Sequence, residues 1–428
     1  MLAPQPNMLN FLNKILSNSN KIESKFIDLQ NNSNVKKIFN SIQDFSADSE
    51  VRYVGGCVRK ILMNEKVDDI DLATNLKPDD IQKALNENNI KFYETGIQHG
   101  TITAQIDNEK FEITSLRSDV LPDGRHSKVE FTKDWKKDAE RRDFTINAIY
   151  SDINGNLFDP FDGKRDLEAG KVIFIGKADQ RIQEDYLRIL RYLRFFSMYS
   201  KTDHDLNTLK SIKKNLSGIS KISSERLLDE FKKITISGSL EKLCLNNYSL
   251  EILKFIFPQF KKLEIIKNLN PKAKENLKNI DFPVLLAVIS IDETDNLEYF
   301  LFKFNISKKD QKRIKNIKDF FYNVKTTVKI DSKSLWKYYY LHGKESLLDI
   351  LNYKVLTSKK AEKKILEFIE YFKNQELPVF PIKAEDLMKK FNLTEGKKVG
   401  EYLKLLEDFW IKNNFSITEK DLERIVKN

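Results

Sequence analysis

Cysteine is almost absent from this chain: 428 residues contain two, Cys57 and Cys244, far apart in the sequence. That excludes a disulfide framework and any zinc spacing built on paired thiols, and it fits a reducing cytosol. Histidine is nearly as scarce, and His99, His126, His204 and His342 are too scattered to form the His and Asp cluster of a metal-dependent phosphohydrolase. Long apolar runs are missing as well. The longest, from Phe282 to Ile291, contains Pro283 and falls well short of the roughly 20 residues that span a bilayer. The first twenty residues, MLAPQPNMLNFLNKILSNSN, have no basic start followed by a continuous apolar stretch, and their leucines alternate with polar residues as in a short amphipathic helix. A soluble, cytoplasmic protein without membrane contact is expected.

What is present argues for a folded, nucleic-acid-related protein. An apolar fraction of 40% and 29 Phe residues exclude disorder, and the length favours two to four domains. Lys and Arg outnumber Asp and Glu by 73 to 63, a net charge of +10 that suits a polyanionic partner. The same Lys and Asn excess also fits a compositional bias of the source genome. Lys-rich stretches near residues 307–317 and 358–364 read equally as solvated helix faces or as RNA contacts.

Organisation follows from periodicity. VKKIFNSI has helical spacing and precedes a polar break from Ala47 to Glu50, after which a strand runs into Gly55 and Gly56. DIDLAT reads as a strand and IQKALNENN as a helix, while GTITAQID and KFEITSLR form a hairpin across Asn108. These elements make an α+β domain. Strand signals fade after Phe161. From QRIQEDYLRILRYLRFF onward the apolar spacing is helical, with breaks near Pro258, Pro271, Pro283, Pro378 and Pro381.

Three clusters carry chemistry. In VGGCVRKILMNEKVDDIDLAT the glycines admit close approach of backbone N–H groups to a triphosphate. Asp69 and Asp71, two residues apart on a strand, point to one face and can reach one hard cation while Ile70 faces the core. Phosphoryl transfer with two metal ions calls for a third acid on a neighbouring strand, and Glu112, between the inward-facing Phe111 and Ile113, is the candidate. In RRDFTINAIY, Arg142, Asp143 and Asn147 are expected on one side of a helix, the arginine toward phosphate and the other two toward ribose hydroxyls. In EDYLRILRYLRFF, Glu184, Arg188 and Arg191 fall at i, i+4 and i+7 opposite a Leu187, Leu190, Leu193 stripe. An intrahelical Glu–Arg ladder explains that pattern too, at about 0.2–0.5 kcal/mol per pair. The more specific reading uses Asp185 as acceptor beside Arg188 as donor, which complements a base edge with an amino group next to an unprotonated ring nitrogen. Cytosine and adenine have that edge; guanine and uracil do not.

With these residues in order, the chain resembles the class II CCA-adding tRNA nucleotidyltransferases, of the tRNA nucleotidyltransferase/poly(A) polymerase family. The family's first motif is matched by Gly55, Gly56, Val58, Arg59, Asp69 and Asp71, its second by RRDFTINA, and its hinge by DPFDGKRDL. The base-reading motif is matched by Glu184, Asp185 and Arg188, and the last by SSERLLDEFKKI. The likeness continues through RSDVLPDGRHSKVEFTKDW and the tail segment FPIKAEDLMKKFNLTEGKKVGEYLKLLEDFW. It implies a polymerase-β-like nucleotidyltransferase head, a small mixed sheet with helices, followed by an all-α neck, body and tail. The expected divisions are an N-terminal helical extension at 1–50, the head at 51–160, the neck at 161–240, and the body and tail at 241–428.

The resemblance further implies template-independent CCA addition to tRNA from CTP and ATP with Mg²⁺, Asp69 and Asp71 holding metal, Glu112 assisting, and Asp185 and Arg188 pairing with the base. Gly55, Gly56, Arg59, Arg142, Asp143, Asn147 and Arg191 complete the expected nucleotide site. The loop around Asp123, Gly124 and Arg125 is expected to lever the switch from C to A. Poly(A) polymerase or A-only addition is the nearest alternative, and a catalytically silent RNA-binding scaffold is another. Lys60 stands where the family often has Asp, and Ile173 where an arginine is expected near the hinge.

Overall fold

The computed structural model describes residues 25–119, 129–292, 294–322, 330–360 and 362–427. The loop residues Asp123, Gly124 and Arg125 lie outside them. The chain divides into two compact units, Met1–Glu230 and Phe231–Asn428.

The first unit is built on a seven-stranded mixed sheet. Helix α1 (Ser33–Gln43) begins where the Asn32 side chain accepts the N–H groups of Asn34 and Val35 at 2.9 and 3.3 Å. Strand β1 (Val51–Val54) runs through Gly55 into α2 (Gly56–Leu62), and β2 (Ile70–Thr74) leads to α3 (Pro78–Glu87). Strands β3 (Lys91–Gly96), β4 (Thr101–Ile106) and β5 (Glu109–Ser115) follow. The expected hairpin is present, with Ile106 opposite Glu109 across the turn. A two-stranded ribbon, β6 (Arg117–Asp119) and β7 (Val129–Phe131), precedes α4 (Trp135–Glu140), and β8 (Tyr150–Ser151) and β9 (Leu157–Phe158) close the sheet. Strand order is β3-β4-β5-β2-β1-β8-β9, with β2 and β5 parallel.

Alternation along the strands sends side chains to two cores. Tyr53, Leu72, Phe111 and Ile113 pack on one face with Val35, Ile38, Phe39 and Ile42 of α1, whose spacing is that of one helix face. Val54, Ala73 and Tyr150 pack on the other face with Trp135 and Ala139 of α4. Asp71 shares its strand face with Ala73, so it emerges on the side of this second core.

After β9 the unit is helical: α5 (Gly163–Ala169), α6 (Ala178–Glu184), α7 (Arg188–Tyr199), α8 (Leu206–Asn215) and the first half of α9 (Ser224–Ile236), whose residues from Phe231 on are counted in the second unit. The DPFDGKRDL segment is tied to the turn before β8. Asp159 accepts the Gly163 and Lys164 N–H groups at 2.8 Å each, and the Thr145 hydroxyl donates to Asp166 at 2.7 Å. A Cβ at Gly163 would lie 2.2 Å from the Thr145 carbonyl oxygen, so only glycine allows this approach.

The second unit is helical throughout its described residues. The apolar stretch at its centre is a buried helix, Phe282–Ser290, with Pro283 in its first turn where a missing N–H costs nothing. The helix Ser332–Thr357 is kinked at Gly343, whose φ of 82° breaks it. Residues Leu387, Val399, Leu406 and Val426 give the last three helices a small core of their own. Among the described residues no helix is long and apolar enough to cross a membrane.

Candidate active site

A cavity of about 600 Å³ opens in the first unit, and eleven of the twelve expected site residues line it: Gly55, Gly56, Arg59, Asp71, Glu112, Arg142, Asp143, Asn147, Asp185, Arg188 and Arg191. Asp69 is the exception. It lies just before β2 and is exposed, outside the lining set.

Gly55 makes the turn at the cavity floor with φ 62° and ψ −113°, a conformation glycine alone adopts without strain. Across the parallel pair β2·β5, Asp71 stands in register with Glu112. Burial raises the Asp71 carboxyl above its ordinary range, and the charges of Glu112 and Asp69 add to it, offset by Arg142 and Arg59. Clustered hard oxygen donors that repel one another fit a divalent cation. Among the described residues no three acidic, histidine or cysteine side chains are arranged to enclose an ion on their own. A divalent cation held here would need further oxygen ligands from outside the protein, such as phosphate or water.

The RRDFTINA residues meet in the cavity but not on a helix. Helix α4 ends at Glu140, and the backbone of the next residues pairs with another segment instead. Phe144 bridges Phe174, the Thr145 N–H donates to the Ile173 carbonyl at 3.0 Å, and the Ile175 N–H donates to the Asp143 carbonyl at 3.1 Å. Thr145–Asn147 is then a single 3₁₀ turn. Ile173 thus contributes its backbone, while its side chain is exposed. Within the turn the polar groups engage one another. Asn147 donates to Asp143 at 2.8 Å and accepts from Arg59, and Asp143 accepts the Arg191 Nε at 2.7 Å. Burial alone pushes the Asp143 carboxyl up, but Arg191 and Asn147 outweigh it and hold it at about 2. Arg59, the partner of Asn147, also lies over the rings of Phe195 and Tyr199 at 4.8 and 5.1 Å. Lys60 points elsewhere, to Asp68 at 3.3 Å.

The expected Glu184, Arg188, Arg191 ladder is likewise split between two helices. Asp185 is extended, with φ −151° and ψ 106°, between α6 and α7. Its carboxylate accepts the Leu187 N–H at 3.1 Å, a local bond that competes with a continuous helix, and also the Arg226 Nη2 at 2.7 Å. Arg188 donates to Glu184 and to the Arg181 carbonyl, the latter at 2.8 Å, so Asp185 and Arg188 are held by separate partners on one cavity wall. Leu187, Leu190 and Leu193 are buried as the stripe predicts.

Sequence reasoning passed over several lining residues, among them Arg117, Arg194 and Arg226. Arg194 continues the arginine series of RILRYLRFF, and Arg226 sits inside SSERLLDEFKKI, so both were within reach of the motifs. In all, eight arginines and four carboxylates line the cavity, a bias that favours a polyphosphate.

Comparison with known proteins follows the same lines. Residues 51–173 match the Poly A polymerase head domain, and residues 205–263 match the family described as a probable RNA and SrmB-binding site of polymerase A. The chain is 35% identical over 395 residues to the human mitochondrial CCA tRNA nucleotidyltransferase 1, covering 88% of this chain and 86% of that protein. This chain belongs to the CCA tRNA nucleotidyltransferase family. The fold of this family member agrees with two solved structures. A Bacillus stearothermophilus CCA-adding enzyme in complex with CTP has a TM-score of 0.67 at 20% identity, covering 91% of this chain and 95% of that one. A Thermotoga maritima CCA-adding enzyme complexed with tRNA has a TM-score of 0.62 at 19% identity, covering 95% and 98%. Nucleotidyltransferases of this family use a divalent metal ion, and Asp71 and Glu112 stand side by side in the cavity as oxygen donors.

Proposed function

We propose that this protein adds the terminal C, C and A to tRNA 3′ ends from CTP and ATP, without a nucleic-acid template and with Mg²⁺ as the divalent ion. The observation that carries the reading is the similarity to a CCA tRNA nucleotidyltransferase over nearly nine-tenths of both chains. The cavity supports it, because acids, arginines and an Asp–Arg wall converge there. In the proposed division of the chain, the head and neck residues 51–160 and 161–240 carry chemistry and base reading, and 241–428 holds the tRNA. Residues 1–50 are assigned as a helical extension, of which α1 packs against the head sheet. A cytoplasmic location is proposed on cysteine usage, both thiols being buried and free.

Asp69 and Asp71 are assigned as metal ligands with Glu112 assisting. A bound divalent ion there would polarise the α-phosphate, favour the ionised 3′-oxygen and offset charge on the leaving pyrophosphate. The arginines, Arg142 foremost, hold the triphosphate in line for attack by the tRNA 3′-hydroxyl. Arg59, Asn147, Asp143 and Arg191 form a linked set that joins the Gly55 turn to α7. Their role is to keep sugar and base at fixed distances from the attacked phosphorus. Asp185 and Arg188 read the amino and ring-nitrogen edge shared by cytosine and adenine.

The deciding assay offers CTP or ATP separately, with Mg²⁺, to tRNAs ending before CCA, after C, and after CC. Two C additions and then one A, each on the matching end, are expected. The head-domain match leaves poly(A) polymerase as the second reading, and repeated A addition to unrelated RNA would establish it instead.

A further inference from the structure

Asp138 does not line the cavity, yet it organises the residues that do. It sits on α4 with 1% of its surface exposed. One carboxylate oxygen accepts the Arg141 Nε at 2.8 Å and the Arg117 N–H at 3.2 Å. The other accepts the Tyr150 hydroxyl at 2.7 Å and the Arg142 Nη2 and Nε at 3.1 and 3.3 Å. Both oxygens are fully engaged, so no ligand reaches them. Tyr150 completes the arrangement by accepting from the Arg142 Nε at 2.9 Å while it donates to Asp138. The Arg142 Nη1 lies 3.5 Å from where a Cβ at Gly55 would stand, directly behind the turn that floors the cavity.

The arrangement solves a physical problem. Arg141 and Arg142 are neighbours in sequence, and both guanidiniums line the same cavity. Unaided, they would repel one another and each would sample many rotamers, an entropy a ligand would have to offset on binding. One buried anion between them cancels the repulsion and fixes both planar forks. Burial works against its ionised form, but Arg142, Arg141, Tyr150 and the Arg117 N–H hold the carboxyl well below its usual range. The Arg117 N–H belongs to the first residue of β6, so the same carboxylate anchors the root of the ribbon β6·β7.

We infer that Asp138 is a positioning residue for nucleotide binding, which pre-aims Arg141 and Arg142 at the polyphosphate of the incoming CTP or ATP and ties them to the base of the ribbon. This rests on the function proposed above. It assigns Asp138 no contact with substrate.

The test is a mutant cycle on the full-length protein, read on the CTP dissociation constant in Mg²⁺ and on KM and kcat for C addition. Asp138→Asn keeps the side-chain shape and removes its charge. It is expected to raise the dissociation constant and KM about tenfold, with kcat and tRNA affinity changed less than about twofold. In a background carrying Arg141→Ala and Arg142→Ala, the same substitution is expected to change CTP affinity less than about twofold, because the groups it acts through are gone. A wild-type KM in Asp138→Asn, or an equal loss of affinity in both backgrounds, overturns the inference; a merely structural role gives the equal loss. If Asp138→Asn does not fold, Tyr150→Phe replaces it in the cycle. That change keeps the ring against Trp135 and deletes the bridging hydroxyl, with an expected loss of about two- to fivefold confined to the background with both arginines. A wild-type protein that binds CTP but never transfers it overturns the proposed reaction, and the cycle is then still decided on the dissociation constant.

Discussion

Both compact units bury aromatic clusters and paired charge, the second holding Arg313 against Asp349, but they differ in what that charge faces. In the first, charge is gathered around an open cavity, and each arginine is held by a carboxylate, a carbonyl or an aromatic face. In the second, five phenylalanines close on one another: Phe257 stacks on Phe260 at 4.7 Å, Phe231 lies 4.8 Å from Phe260, and Phe300 and Phe304 complete the group at 5.5 and 5.7 Å from Phe260 and Phe257. Aromatic packing of this kind stabilises through buried area plus about 0.5–1.5 kcal/mol per ring pair. For the ion pairs around the cavity, desolvation offsets much of the Coulomb attraction, so buried pairing alone is a weak source of stability. The charge around the cavity is arranged where a ligand can reach it, whereas the phenylalanines serve the fold of the second unit.

Substitutions that separate activity from stability test this contrast most sharply. Asp71→Ala is expected to reduce C incorporation by about a thousandfold or more, since it removes a carboxylate assigned to the metal ion. The same change should leave the unfolding midpoint unchanged or raised, because it relieves repulsion with Glu112 and Asp69. Primer extension on truncated tRNA and a denaturant titration read the two effects, and a large loss of stability would break the comparison. Phe260→Ala is the mirror image. It should cost about 3–5 kcal/mol of stability, with the CTP dissociation constant of the folded protein unaltered at low temperature.

The same contrast explains what was legible in the sequence. Helical spacing in VKKIFNSI and the hairpin at Asn108 were readable because apolar periodicity is set locally by which face must be buried. The Gly55–Gly56 turn, Asp71 and Glu112 were readable because strand alternation fixes which side chains share a face. Two helices were misjudged for one reason: side-chain and backbone partners took bonds the helix would have made. Asp143 to Thr145 pair with Ile173 to Ile175, and the Asp185 carboxylate takes the Leu187 N–H. Asp138 gave no signal, since an acid four residues before an arginine looks like any solvated helix pair until its burial is seen.

A smaller effect concerns acid. Asp143 is held at about 2, below the ordinary value of 3.8, so its pairing with Arg191 and Asn147 contributes stability that is complete above about pH 4. As pH falls from 4 through 2 the carboxylate is protonated and that contribution, about 2 kcal/mol, is lost. Asp143→Asn should therefore flatten the acid limb of stability in this window, and an unchanged limb would show that the link to α7 carries no weight.

The smallest expected effect is at Lys60, and it sharpens the comparison because its neighbour is Arg59. Both are cations on one short helix. Arg59 turns inward to Asn147 and two aromatic rings, whereas Lys60 reaches out to Asp68, whose side chain is more than half exposed. Exposed pairs of that kind are screened by water and contribute little. Lys60→Ala should leave the unfolding midpoint within experimental scatter and the KM for CTP within about twofold of wild type. If KM instead rises as steeply as it does for a residue that lines the cavity, then a surface cation is meeting phosphate, and the division between charge that serves the substrate and charge that merely faces water is drawn in the wrong place on α2.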